Sequence, residues 1–268
     1  MKILKKTILL VLVLLFLGVS AVSAQTIGAV YSHNSASIDW SSLSITGGSY
    51  SVYGNYYSWS RAYTNDSWYL PASPSSPPYE SDYDGSSLTL ASSTTGVAPD
   101  YASSTGSTTA ATISASAVAE VSVFGDAYAA DSLAQRGLVY KLTSNNEFNF
   151  SIDYSFLSQV LEAQTGYAYG YVRAWAQLRL WNGSEYAHIG KLVMEEETHN
   201  ISFSDFNLAP SNGSLELSYN GSANQYLLLE VGVDARSAVQ KAVVPIPGAV
   251  WLLASGLLGL VGIRRFRN

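Results

Sequence analysis

Alternation of apolar and polar positions is the strongest signal in this chain. From Gly166 to Trp181, one parity carries Tyr167, Tyr169, Tyr171, Arg173, Trp175, Gln177, Arg179 and Trp181, and the other carries Ala168, Gly170, Val172, Ala174, Ala176, Leu178 and Leu180. Successive side chains of a strand point to opposite faces, so this run predicts one long strand with a small-residue face against the core. Other runs repeat the pattern: Phe148, Phe150, Ile152 and Tyr154 within Glu147–Tyr154, then Leu215–Tyr219, and Leu227, Leu229, Val231 and Val233 within Tyr226–Val233. Ala111–Phe124 alternates small apolar residues with Ser or Glu. Only Ser132–Leu138 and Phe156–Ala163 suit helices, and both are short.

Turn chemistry divides these runs. Asn182-Gly183, Asn212-Gly213 and Asn220-Gly221 are type I′ hairpin signals, because Asn and Gly tolerate positive φ at both central positions. Pro71 to Pro78 cannot ladder and reads as an extended loop. Ser92 to Ala111 holds Ser, Thr, Ala and Gly with little bulk, which is the composition of a long loop or of loose edge structure. The two stretches form a Pro/Ser/Thr-rich insertion around 70–110 that decorates one domain. Many strands, tight turns and no helical crossovers predict an all-β fold, an antiparallel β-sandwich of jelly-roll-like kind.

Both ends of the chain depart from the strand pattern. Lys2, Lys5 and Lys6 precede an apolar run from Ile8 to Leu17, and Val22-Ser23-Ala24 supplies small residues for cleavage. Residues 1–24 therefore read as a secretory signal peptide, with Gln25 as the new N-terminus. At the other end, Ala242 to Ile263 is uncharged. The apolar run after Gly248 predicts a transmembrane helix over about 248–263, roughly 24 Å long, against a hydrocarbon core of about 30 Å. Such a short span must thin the bilayer or snorkel its flanks. Arg264, Arg265 and Arg267, in the basic tail 264–267, act as the topology anchor by the positive-inside rule.

Val244-Pro245-Ile246-Pro247-Gly248, the Ala249-Val250-Trp251-Leu252-Leu253 that follows, the Ser255–Gly262 run and the closing Arg cluster together resemble the PEP-CTERM sorting signal of Gram-negative bacteria that make exopolysaccharide. The box that names the family has Glu where Ile246 stands here. The resemblance covers residues 244–268 of the 268. It implies a substrate of exosortase, a membrane cysteine transpeptidase that cuts near the box. The precursor would be held in the inner membrane before reaching the cell envelope or the extracellular matrix. An ordinary C-terminal anchor would show the same helix and Arg stop without needing the proline box.

Charge sharpens the picture of the exported part, residues 25–243. All 20 acidic residues and eight of the 14 basic ones lie there, a formal charge of −12 on that segment against −6 for the whole chain. No basic stripe offsets it, so nucleic acid is not an expected partner. With no Cys there is neither a disulfide framework nor thiol chemistry, and a hydrophobic core must hold the domain.

Catalytic signals are weak. His33, His188 and His199 form no metal-type pair, no Gly-x-Ser-x-Gly elbow singles out a nucleophile, and Glu195-Glu196-Glu197 reads as a solvated charge run. Asp82-Tyr83-Asp84-Gly85-Ser86 starts like a calcium loop but lacks the later acidic ligand, so a plain Asp-Gly turn is the better reading. The chain is not expected to be an enzyme, and no cofactor or metal is expected. Aromatic residues are more suggestive. Tyr50, Tyr53, Tyr56, Tyr57, Trp59, Tyr63, Trp68 and Tyr69 crowd one stretch, and Tyr167, Tyr169, Tyr171, Trp175 and Trp181 share one strand face as candidate glycan contacts. Sheet packing by cross-strand aromatic pairs explains them as well. The expected function is that of an exported structural or adhesive component of exopolysaccharide or biofilm. A carbohydrate-binding module is the alternative, and a glycan-active hydrolase or lyase is a more distant one.

Overall fold

The structure, a computed structural model, describes residues 29–68, 79–84, 89–161, 166–202, 206–207 and 210–242. The expected signal peptide, the proline loop and the whole tail from Val244, with its sorting box and Arg264, Arg265 and Arg267, lie outside the described residues. The strands are β1 (Val30–Thr46), β2 (Tyr50–Asn65), β3 (Tyr79–Asp84), β4 (Thr89–Val97), β5 (Asp100–Thr108), β6 (Thr112–Val121) and β7 (Ala127–Leu142). They continue as β8 (Asn146–Leu161), β9 (Gly166–Trp181), β10 (Tyr186–Ser202), β11 (Phe206–Asn207), β12 (Ser211–Gly221) and β13 (Tyr226–Lys241). No helix occurs among the described residues.

Two antiparallel sheets result, and they pack face to face as a β-sandwich. One has seven strands in the order β11-β8-β1-β6-β5-β4, with β12 beside β11 along the same flank of β8. The other has six in the order β10-β9-β13-β7-β2-β3. The alternation read in β9 is realised along its length: Ala168, Val172, Ala174, Ala176 and Leu178 are buried, and the Tyr, Trp and Arg parity faces outward. Phe148, Phe150 and Ile152 of β8 and Leu227, Leu229, Val231 and Val233 of β13 meet between the sheets.

Between β1, β9 and β13 the interior is polar and fully paired. Asn34 donates to Ser32 and Ser237 and accepts from Ser158, Ser237 donates to the Ala117 carbonyl, and all four side chains are buried. Gly170 makes room for this cluster, since a Cβ there would come within 2.5 Å of Asn34. A satisfied polar network fixes one register, because a slip would leave buried groups unpaired.

Several expectations are corrected. Ser132–Leu138 and Phe156–Leu161 are strand, not helix, because β7 is paired on both flanks by β2 and β13, and β8 by β1 and by β11 and β12. Ladders on both sides override the helical leaning of Leu, Ala and Gln. Of the two alternatives for Ser92–Ala111, edge structure holds, but it is regular: it contributes most of the β4–β5 hairpin, and β4 ends the sheet. Its small residues reflect close sheet approach. A Cβ on Gly106 would lie 2.5 Å from the Leu133 carbonyl oxygen, and Thr64 of β2 hydrogen-bonds Ser93 and Thr95 of β4 across the gap.

Of the three Asn-Gly signals, only Asn182-Gly183 lies in a hairpin, and the connection between Trp181 and Tyr186 has four residues rather than two. Asn212-Gly213 lies inside β12, where Gly213 leaves space for the Tyr154 ring, and Gly221 does the same for Leu142. The turn after β12 falls at Ser222–Gln225, with Asn224 at φ 68°, and carries the chain from one sheet to the other.

Candidate functional site

The outer face of the six-stranded sheet carries many of the aromatic side chains singled out above, interleaved with arginines and arranged in rows across the strands. One row runs Trp59, Gln135, Gly232, Trp175, Met194; the next runs Arg61, Leu133, Asp234, Arg173, Glu196. A third runs Tyr57, Gly137, Glu230, Gln177, Leu192. The buried acids Asp131, Glu230 and Asp234 stand on the two central strands, and arginines reach them from the flanking strands β2 and β9 or, for Arg236, from the position directly across.

Asp234 is 1% exposed and takes both Nε and Nη2 of Arg173, at 2.9 and 2.7 Å. Burial pushes its carboxyl above the ordinary Asp range, although the Arg173 guanidinium pulls the other way. Glu230 accepts from the Tyr57 hydroxyl and from Gln177, with Arg179 Nε at 2.7 Å. Asp131 pairs with Arg61 at 2.7 Å and Arg236 at 3.3 Å, and Arg236 lies over the Tyr171 ring. Burial first, then Asp234 and Glu196, lifts the Tyr171 hydroxyl to about 12. Trp175 lies over Gly232, where an added Cβ would fall 2.5 Å from its ring. Flat side chains thus roof this face and bury the carboxylates without a further layer of backbone.

The five candidate glycan contacts are therefore not one site. Tyr169, Tyr171 and Trp175 are half-buried parts of the roof. Tyr167 and Trp181 stand at opposite ends of β9, about 45 Å apart at ~3.3 Å per residue. The Tyr50–Tyr69 cluster divides likewise: Tyr57 and Tyr63 are buried, Trp68 lines a groove of about 390 Å³ with Asp66 and Asp126, and Tyr69 lies outside the described residues.

What the fold does assemble is a second group of rings at one pole. Two bulges in β2, between Val52 and Gly54 and between Asn55 and Tyr57, leave Tyr53 and Tyr56 without cross-strand partners on β7. Bulges re-aim side chains, and here both Tyr swing out to 70% and 51% exposure. Tyr53 meets Tyr226 edge-on at 5.2 Å; Tyr56 meets Tyr186 at 5.1 Å, and Tyr186 meets Trp181 at 5.1 Å. The Lys141 ammonium lies 5.6 Å from the Tyr226 ring centre. Asn182 Oδ1 accepts from the Ser184 and Glu185 backbone N–H groups, shaping the hairpin so that Trp181 and Tyr186 face each other. Tyr56 touches Tyr57, which ties the group to Glu230 in the roof.

Sequence reasoning had Tyr53, Tyr56 and Trp181 in two separate lists and missed Tyr186 and Tyr226. The flanking of an Asn-Gly turn by Trp181 and Tyr186 was the available clue.

The remaining candidates do not converge. His33 is half-buried on the outer face of the seven-stranded sheet with Ser116 Oγ at 3.4 Å, and burial lowers its pKa. His188 lies beside a bulge in β10. Asp82 and Asp84 lie on the extended strand β3. Among the described residues, no group of three or more His, Asp or Glu is placed to hold a metal ion.

No known family matches the chain, and no curated protein does. Among solved structures, a chain from the structure of the infectious bursal disease virus Gx strain aligns at 11% identity over 81% of this chain and 67% of that one, with a TM-score of 0.14. A likeness of that size carries no argument.

Proposed function

We propose that the protein is an exported component of a bacterial envelope or extracellular matrix, structural or adhesive in role, sorted through its C-terminal tail by an exosortase-type transpeptidase. The observation that carries this reading is the run Val244–Gly248, followed by a short apolar helix candidate and by Arg264, Arg265 and Arg267, attached to a Cys-free domain of charge −12. The inner membrane would hold the precursor until the box is cut. The sandwich, which we take to be a jelly-roll-like elaboration, suits display. Val30 and Lys241 both lie close to Gly166, so the first and last described strands begin and end at one pole. A tail leaving that pole would turn the opposite pole, with its exposed rings, away from the membrane.

Intact-mass measurement of the envelope form tests the sorting. A C-terminus near Pro247 is expected, and a chain that still carries Asn268 in its final location overturns the reading in favour of a plain anchor. A second reading, a carbohydrate-binding module, is favoured by one observation: Trp181 remains 41% exposed at the pole opposite Lys241.

A further inference from the structure

We infer that the ring cluster built by Tyr53, Tyr56, Trp181, Tyr186 and Tyr226 is the ligand site of this domain and that its ligand is an uncharged polysaccharide. The inference rests on the carbohydrate-binding reading and adds to it a place and a chemical class.

The geometry comes first. Tyr53 and Tyr56 sit on two successive bulges, which turn them out of the ladder; plain strand geometry would leave only one of them on this face. Tyr186 and Tyr226 stand half-buried behind them and hold them edge-on at 5.1 and 5.2 Å, so the exposed rings are braced. A braced ring loses little conformational freedom on binding.

The size of the patch favours a chain of small repeating units over a protein partner. Three rings of about 150–250 Å² each, exposed by 70%, 51% and 41%, offer roughly 300 Å². A stable protein interface needs about 800 Å² from each side. A polymer chain laid along the rings needs no such area, because each of its units adds contact of the same kind.

Charge decides the class of polymer. The exported segment carries −12, which repels polyanions at a distance. Of the cations near the rings, Arg179 pairs with Glu230 and Lys141 lies against Tyr226; Lys191 of β10 is exposed, and one ammonium does not offset the surrounding negative charge. Phenol hydroxyls and ring faces remain, and they suit the apolar faces and hydroxyl edges of neutral sugars.

Affinity electrophoresis of the full-length chain in detergent, through gels holding dextran, hydroxyethyl cellulose or the polyanion alginate, tests this. Saturable retardation by at least one neutral polymer is expected, with none by alginate. Trp181→Ala and Tyr53→Ala should each weaken it about ten-fold or more, as anchor residues do. Tyr167→Ala removes an exposed ring from the other end of the same strand and should leave binding unchanged. Denaturation midpoints, measured alongside, separate lost binding from lost folding. Failure of both neutral polymers to retard the chain, equal retardation by alginate, or undiminished binding by a folded Tyr53→Ala/Trp181→Ala variant overturns the proposal. None of these outcomes bears on the mature C-terminus, so the sorting proposal stands or falls separately.

Discussion

Trp175 and Trp181 lie on one strand, on one face, six residues apart, and the molecule uses them differently. Trp175 lies over Gly232, flanked by the Arg173–Asp234 pair and the Gln177–Glu230 contact, and helps to roof the sheet. Trp181 stands at the end of β9, where its cross-strand partner is Tyr186 of the hairpin, which in turn meets Tyr56 of bulged β2, and it stays open. Parity tells which face a ring takes. Whether the ring is free depends on what stands across from it, and that is a long-range property.

The comparison predicts its largest effect at the centre. Replacing Arg173 with Ala leaves the nearly inaccessible Asp234 without its guanidinium, and stability should fall by about 3 kcal/mol at neutral pH. The loss should depend on pH in a set direction. Burial already holds the Asp234 carboxyl above the ordinary range, and removing Arg173 removes the pull that opposes this. A carboxyl with a raised folded pKa adds stability below its unfolded pKa and loses it as pH rises through the folded value. The deficit of Arg173→Ala should therefore shrink as the pH falls toward the ordinary Asp range. Urea titrations at several pH values check this, and a deficit that is constant or grows on acidification breaks the account.

The next effect concerns the Trp175–Gly232 pair. Trp175→Ala should cost about 2 kcal/mol, less than for a fully buried Trp because the ring is half exposed. Gly232→Ala should cost about 1–2 kcal/mol, since the new methyl meets the ring. In the double variant the clash is gone, so the two losses should fall short of adding. Strict additivity would mean that ring and glycine do not touch.

How much of this was legible in the sequence follows from the same contrast. The inward face of β9 and the buried series of β8 and β13 were readable because alternation is local. The strand at Ser132–Leu138 was not, because its state is set by β2 and β13 on either side. The Ser and Thr richness of Ser92–Ala111 left a long loop and loose edge structure both open, because composition cannot show that two sheets come within reach of each other at Gly106. The polar ring cluster draws on β2, β9, β10 and β13, and only the pairing of those strands brings Tyr53 to Tyr226 and Tyr56 to Tyr186. Bulges, which decide the exposure of Tyr53 and Tyr56, leave no mark in a pattern of period two.

A smaller effect belongs to the hairpin that presents Trp181. Asn182→Ala removes the acceptor for two backbone N–H groups in an exposed loop, and stability should drop by about 0.5–1 kcal/mol. Neutral-polymer binding should weaken with it, because Trp181 and Tyr186 lose the turn that pairs them. If binding is unchanged while stability falls, the turn is only structural and the rings are positioned by β2 alone.

Smallest of all in stability is Trp181→Ala. Its ring contacts Tyr186 on one side and solvent on the other, so a change of at most about 0.5 kcal/mol is expected, the range of ordinary surface substitutions. The value of this variant lies in its pairing with Trp175→Ala. One should unfold more easily with its ring cluster intact, and the other should fold normally with the cluster broken. Denaturation midpoints of the two variants, taken under identical conditions, decide it. If Trp181→Ala proves as costly as Trp175→Ala, the exposed pole is packed like the roof, and the distinction between a ring that holds the sheet and a ring left free for a ligand is lost.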